Sequence, residues 1–231
     1  MNFIDIIIIV CLLVGAFLGF KKGVIKTLVQ LIGMFAIIIV SYTLKDMLAG
    51  FLIKVMPFFN FGGVFEGVTA INIIIYELIS FIVIFVVLYC ILNILISLSG
   101  MVEKLLKLTI VLAIPSKILG LIVGAIEGLV FSFLLIFILF HVGPTTKYVN
   151  DSSMGIVLLE RTPFIGQVMA KSTLALEEIN DSIKKFDPKA DKKTLNSQVV
   201  STLIYYNLVD KDTVKKLIED KKIDLENMTF S

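Results

Sequence analysis

The chain has 231 residues, of which 58% are hydrophobic, and its mean hydropathy is +0.99. Since an ordinary soluble domain is roughly 45–50% apolar, this composition argues against that class and indicates a membrane protein. The formal net charge of +2 is spread along the chain rather than gathered into a basic stripe, so nucleic acid is not expected as a partner.

Charge is divided unevenly along the sequence. Residues 1–142 hold eight lysines and six acidic residues, whereas residues 143–231 hold thirteen basic and thirteen acidic residues. Gly143 and Pro144 stand at the change, where they would stop a helix. We therefore predict an all-α polytopic membrane protein, with four transmembrane helices in residues 1–142 and a helical, water-facing C-terminal tail in residues 143–231.

Four apolar stretches can cross about 30 Å of hydrocarbon, which takes roughly 20 helical residues. The predicted spans are Phe3–Phe20, Thr27–Leu44, Ile71–Leu98 and Ile118–Val142, the last preceded by Pro115 and a Ser116 cap. Two further pieces, Leu48–Phe65 and Leu105–Ile114, are too broken or too short to span, and we predict re-entrant or interfacial segments there.

The first stretch has the wrong charge order for a cleavable signal peptide. Asp5 precedes it, and Lys21, Lys22 and Lys26 follow it, whereas a signal peptide has its basic residues before the apolar run. We expect it to be a retained transmembrane helix.

The tail is predicted to be helical over three stretches: Leu158–Ile183 with an interruption at Pro163, Leu195–Leu208, and Thr213–Lys222. Its modest apolar density leaves two alternatives open. The tail is either a small helical cap on the bundle or a loosely ordered appendage.

Lysines set the predicted orientation. The connections after the first span and before the fourth carry six of them: Lys21, Lys22, Lys26, Lys104, Lys107 and Lys117. The opposite side has four basic residues near the membrane: Lys45, Lys54, Lys147 and Arg161. By the positive-inside rule, the six lysines face the cytoplasm, and the N-terminus and the tail lie outside.

Two of the spans carry the same spacing of glycine. The first glycine ladder is Gly15, Gly19 and Gly23, and the second is Gly120, Gly124 and Gly128. Glycine at every fourth position lets another backbone approach closely in lipid, where van der Waals contact is the main attraction between helices. We expect helix packing at these positions, between the ladders or between equivalent surfaces. The alternative is a helix break that lines a pathway.

The segments that begin at Gly15 and Gly120 also resemble each other over eleven residues. Many transporters contain inverted repeats and bind substrate where the halves meet. Glycine-rich apolar helices also match by chance, so both interpretations stay open.

Four ionisable residues in or near the spans are candidate intramembrane polar or ion-pair sites: Asp5, Lys22, Glu77 and Glu127. Glu127 lies ten residues past Lys117, which is about 15 Å along a helix and near mid-membrane. One hypothesis makes it a proton or cation relay, or a partner for a lysine. The other, which we favour, makes it a single protonated or paired carboxyl that holds helices in register.

Residue types that serve catalysis or metal binding are scarce in the sequence. His141 is the one histidine, and Cys11 and Cys90 lie in apolar stretches, where we expect small packing residues. A glycine-rich phosphate loop with lysine and serine or threonine does not occur. We therefore predict no metal site, no cofactor and no enzymatic activity.

These patterns together resemble the colicin V production protein family, the CvpA-like membrane proteins of bacteria. The matching motifs are Phe3-Ile4-Asp5, the run Leu18–Lys26 around Gly23, and Lys117-Ile118-Leu119-Gly120 with Gly124 and Gly128. The chain departs from the family pattern at Glu127, where the family usually has a basic residue, and at Ser116-Lys117, where it has an Asp-Arg pair.

The resemblance covers approximately residues 1–145. It implies a four-helix inner-membrane protein linked to colicin V production or export and to envelope maintenance, without an established biochemical activity. We predict an accessory protein whose partners are the lipid bilayer and either further copies of itself or envelope membrane proteins. The alternative is a small transporter or channel subunit with an intramembrane carboxylate.

Overall fold

The computed structural model describes residues 2–62, 66–98, 113–141, 148–149, 151–161, 165–186 and 191–225. The long elements in these residues are all helices. In chain order they are α1 (Phe3–Lys22), α2 (Val24–Val55), α3 (Ile71–Leu98), α4 (Ala113–His141), α5 (Ser153–Arg161), α6 (Ile165–Lys185), α7 (Lys192–Tyr205) and α8 (Lys211–Glu219). The predicted all-α class is confirmed.

Helices α1 to α4 are long and apolar enough to cross a membrane, as the sequence predicts. They contain 20, 32, 28 and 29 residues. At 1.5 Å per residue α2 is about 48 Å long, well beyond the roughly 30 Å of hydrocarbon that a helix must cross. A large part of α2 therefore extends beyond the length needed to cross the hydrocarbon.

The limits of two helices differ from those predicted. Residues 48–55 continue α2 instead of starting a separate re-entrant segment. Helix α4 begins at Ala113, so Pro115 lies in its first turn, where the missing N–H would have no partner within the helix. The rest of the short piece predicted at Leu105–Ile114 lies outside the described residues.

The chain forms two compact units. Unit 1 contains Met1–Ser41 and Phe85–Gly166, and unit 2 contains Tyr42–Ile84 and Gln167–Ser231. This division by packing differs from the predicted division by solvent at residue 142. The assignment of residues 143–231 to an extracytoplasmic tail stays a prediction.

In unit 1, α1 and α4 run antiparallel along each other, and α5 contacts both. The buried apolar side chains of these three helices include Ile4, Ile8, Val130, Phe133, Ile136 and Leu158. Many other apolar side chains of α1 are exposed, among them Phe3, Leu13 and Phe17. A helix that buries one face and exposes apolar groups on the rest is typical of a lipid-facing bundle.

Unit 2 has a hydrophobic core of its own. The end of α2 and the start of α3 contribute Ile53, Ile73 and Tyr76, and Val68 and Ala70 lie just before α3. The tail helices contribute Ile179, Ile183, Leu195, Val199, Val200, Leu203, Val214 and Leu217. Residues from five helices are thus packed together. The described part of the tail is therefore a folded helical structure rather than a loosely ordered appendage.

We expect Leu203→Ala to destabilise unit 2 by about 2–5 kcal/mol, because the side chain is 0% exposed and its removal leaves a cavity. Tyr205→Ala is the matched control on the same helix: that side chain is 80% exposed, and its loss should change stability by less than about 0.5 kcal/mol. The measurement is chemical unfolding of the detergent-purified chain, with protease resistance of the tail as a second probe. Equal behaviour of the two variants would contradict the packed core.

Candidate functional site

The two glycine ladders face each other in unit 1. A Cβ atom added at Gly15 would lie 2.8 Å from the Cα atom of Gly128, and one added at Gly19 would lie 2.7 Å from the Cα atom of Gly124. In both places the nearest atom would be a carbonyl oxygen of the opposite ladder. Since Cβ atoms do not approach backbone so closely, a side chain at either position would push α1 and α4 apart.

Gly23 differs from the other members of its ladder because it also forms a turn. Its φ of +79° lies in the region that favours glycine, and it is the one residue between α1 and α2. The N–H of Gly23 donates to the carbonyl of Gly19 at 2.9 Å, and the Cα of Gly23 lies where a Cβ on Gly120 would be 3.0 Å away. Gly23 therefore forms the turn and also takes part in the close contact with Gly120.

Asp5 holds the start of α5. One carboxylate oxygen accepts from the Ser152 hydroxyl at 2.5 Å and from the Met154 N–H at 3.3 Å, and the other accepts from the Asn2 N–H at 2.8 Å. The Ser152 hydroxyl in turn accepts from the Gly155 N–H at 2.9 Å, as an N-cap does. A carboxylate at a helix N-terminus also interacts favourably with the helix dipole.

Glu127 is 4% exposed, and one of its carboxylate oxygens accepts from the Tyr89 hydroxyl at 3.0 Å. One turn further along α3, the Asn93 side-chain oxygen accepts from the Gln30 amide at 2.7 Å. Tyr89 and Asn93 thus link α3 to α4 and to α2. Sequence reasoning did not identify Tyr89 or Asn93, although their spacing of four residues in an apolar helix was a readable signal.

Glu77 has a cationic partner in unit 2. The Lys45 ammonium lies 2.7 Å from a Glu77 carboxylate oxygen and 2.6 Å from an Asp46 oxygen, and the Lys45 and Glu77 side chains are only 11% and 14% exposed. Lys22, the remaining candidate, has no ion-pair partner among the described residues. Asp5, Glu127 and Glu77 therefore each contact different partners.

The tail is tied to α2 by a lysine that sequence reasoning missed. The Lys222 ammonium donates to the carbonyls of Ile53, Lys54 and Met56, the second at 2.8 Å and the third at 3.3 Å, and lies 5.6 Å from the centre of the Phe58 ring. Carbonyls at a helix C-terminus lack partners within the helix, and a cation there also matches the helix dipole.

Metal ligands are not gathered anywhere in the part of the chain that the structure describes, where no three His, Cys, Asp or Glu side chains lie together. What the geometry provides is close backbone contact, hydrogen bonds between helices and one mostly buried ion pair. These are the means by which helices are held in register.

The sequence model of the colicin V production protein family matches residues 4–163. The chain belongs to this family. The matched region extends past residue 145, where the motif resemblance stops, and takes in all of α5, whose start is held by Asp5. Curated proteins and solved structures gave no significant match.

For this family member we expect Gly124→Leu to separate α1 from α4, because even its Cβ would lie 2.8 Å from the Cα of Gly19. The matched control is Gly50→Leu, at a helical glycine with no atom within 4 Å of an added Cβ. Cys11→Ala should also be mild. Thermal unfolding and size-exclusion profiles in detergent are the measurements, and an unchanged Gly124→Leu protein would show that the ladders are not a required contact.

Proposed function

We propose that the chain is a non-enzymatic, multi-pass accessory protein of the bacterial cell membrane that supports colicin V production or export and envelope maintenance. Membership of the colicin V production protein family supports the link to colicin V production. The hydrogen bond from Tyr89 to Glu127 carries the accessory role, because it engages a carboxylate that is 4% exposed in a contact between α3 and α4. Side chains that hydrogen-bond across membrane helices help to hold those helices together.

Unit 2 supports the same proposal from the other part of the chain. Its folded helical core gives the protein a body on which other proteins can bind, and Tyr205 is 80% exposed with its ring 5.0 Å from that of Tyr206. Aromatic side chains are enriched in protein interfaces, where they supply much of the binding energy. The partners we propose are further copies of the chain or envelope membrane proteins.

A second candidate is a small transporter or channel subunit. The observation that favours it is Glu127 itself, an ionisable group about 15 Å along α4 from Lys117 and 4% exposed. Carboxyl groups at such depth are costly and often belong to proton or ion pathways. In this function Glu127 would have to gain and lose a proton.

The two candidates predict opposite results for a pair of substitutions. Glu127→Gln keeps an oxygen that accepts from Tyr89 but removes the titrating group, whereas Tyr89→Phe removes the hydrogen bond and keeps the carboxyl. For the accessory protein we expect Glu127→Gln to restore colicin V export in cells that lack their own family member. Tyr89→Phe should lower the stability of the purified protein by about 1 kcal/mol.

For a transporter the two substitutions have the opposite effects: Glu127→Gln would abolish transport, and Tyr89→Phe would leave most of it. Proton and cation flux into vesicles provides the second readout. Flux that depends on the protein and disappears with Glu127→Gln would establish the transporter and overturn the accessory role. Equal flux in vesicles with and without the protein would remove the transporter.

We propose further that the N-terminus and the tail lie outside the cytoplasm. Six lysines lie in the two connections that would face inward, against four basic residues near the membrane on the other side. The proposal takes each of the four candidate spans found in the described residues to cross the membrane, which puts the start of α1 and the tail on the same side.

Single cysteines at Ser182 and Lys107, in a chain with Cys11→Ala and Cys90→Ala, test this orientation in intact cells. A thiol reagent that cannot cross the cytoplasmic membrane should label position 182 and spare position 107. Permeabilised cells provide the control, because both positions should then react. Labelling of position 107 alone in intact cells would invert the orientation.

A further inference from the structure

Four lysines lie at one end of unit 1: Lys21, Lys22, Lys26 and Lys117, here called the lysine cluster. The one-residue turn at Gly23 brings the end of α1 next to the first turn of α2. Ser116 lies beside this turn, because its hydroxyl accepts from the Val24 N–H at 3.4 Å. The start of α4 and Lys117 therefore belong to the same corner of the unit.

Two of these ammonium groups are placed by aromatic rings. The Lys21 nitrogen lies 4.6 Å from the centre of the Phe17 ring, and the Lys117 nitrogen lies 5.8 Å from that of Phe20. Phe17 and Phe20 are 57% and 40% exposed, so both rings face the surroundings of the helix. Lysine side chains near the end of a membrane-spanning helix extend their ammonium groups towards the headgroups. In helices that cross the membrane, ammonium groups so placed would reach the depth of the lipid phosphates.

The protein does not neutralise this charge in the residues that the structure describes. No described carboxylate lies within ion-pair distance of any member of the lysine cluster. Within the described ranges, therefore, these four cations on three adjacent helix ends have no anionic partner.

We propose that the lysine cluster binds the phosphate of an anionic phospholipid at the corner between α1, α2 and α4. A zwitterionic lipid brings its own cation, which repels the lysines, so the site prefers a lipid with net negative charge. Of the proposed function, the inference requires only that the protein lies in a membrane. It holds whichever face is cytoplasmic and whether or not the protein transports a solute.

The test uses the full chain in detergent, titrated with phosphatidylglycerol or with phosphatidylcholine, and native mass spectrometry counts the bound lipids. Wild type should bind phosphatidylglycerol more tightly than phosphatidylcholine. We expect Lys21→Gln with Lys117→Gln to weaken phosphatidylglycerol binding about 25-fold, at about fivefold for each lysine removed. The corresponding Lys→Arg double variant should retain it.

The matched control is Lys211→Gln with Lys216→Gln, which removes two exposed lysines from α8. This control should bind phosphatidylglycerol like wild type. Equal loss in the control and the cluster variant, or equal binding of the two lipids by wild type, would overturn the proposal. Displacement of the lipid by millimolar inorganic phosphate would also overturn it, since the site would then be one for free phosphate.

If the cluster variant does not fold, the wild-type protein alone still tests the proposal. Charge pairing between lysine and phosphate weakens as salt rises, because counterions screen it. Phosphatidylglycerol affinity should therefore fall at least severalfold between 0.05 and 0.5 M NaCl, while phosphatidylcholine affinity stays constant. A salt-independent affinity for phosphatidylglycerol would overturn the proposal.

Discussion

Backbone contact between α1 and α4 is the constraint on which unit 1 depends. Helices in lipid gain little from burying apolar side chains, since lipid tails are as apolar as leucine, so close van der Waals contact decides how they pair. The ladders make that contact with Gly15 opposite Gly124 and Gly128. This register also places Asp5 within reach of Ser152 and sets Ser116 beside Val24.

Polar pairs add specificity to this contact. Gln30 with Asn93 and Tyr89 with Glu127 connect α3 to α2 and to α4 in unit 1. Hydrogen bonds of this kind contribute roughly 0.6 to 2 kcal/mol each in membranes, and a wrong rotation of α3 would leave these groups unpaired among apolar ones. The bundle is therefore determined by backbone shape along α1 and α4 and by hydrogen bonding along α3.

Much of the fold of unit 1 could be predicted from the sequence. Hydropathy indicates the length of each spanning helix, and glycine spacing indicates where two helix backbones can come close together. The four spans and the two ladders follow from those signals alone. The extra turns of α2 could not be predicted, since Ile53 in a protein core and an apolar residue in lipid look the same in sequence. The partners of Asp5 and Glu77 were missed for a different reason: each contact joins residues far apart in the chain, and no local period records it.

The residues that form the core of unit 2 come from two parts of the chain that are synthesised at different times. Its first members, such as Ile53, Ile73 and Tyr76, are translated long before Val214 and Leu217, which complete the same core. At about 5–20 residues per second, the ribosome needs roughly 7–27 s to pass from Ile84 to Leu217. During that interval the end of α2 and the start of α3 have no tail to cover their apolar side chains.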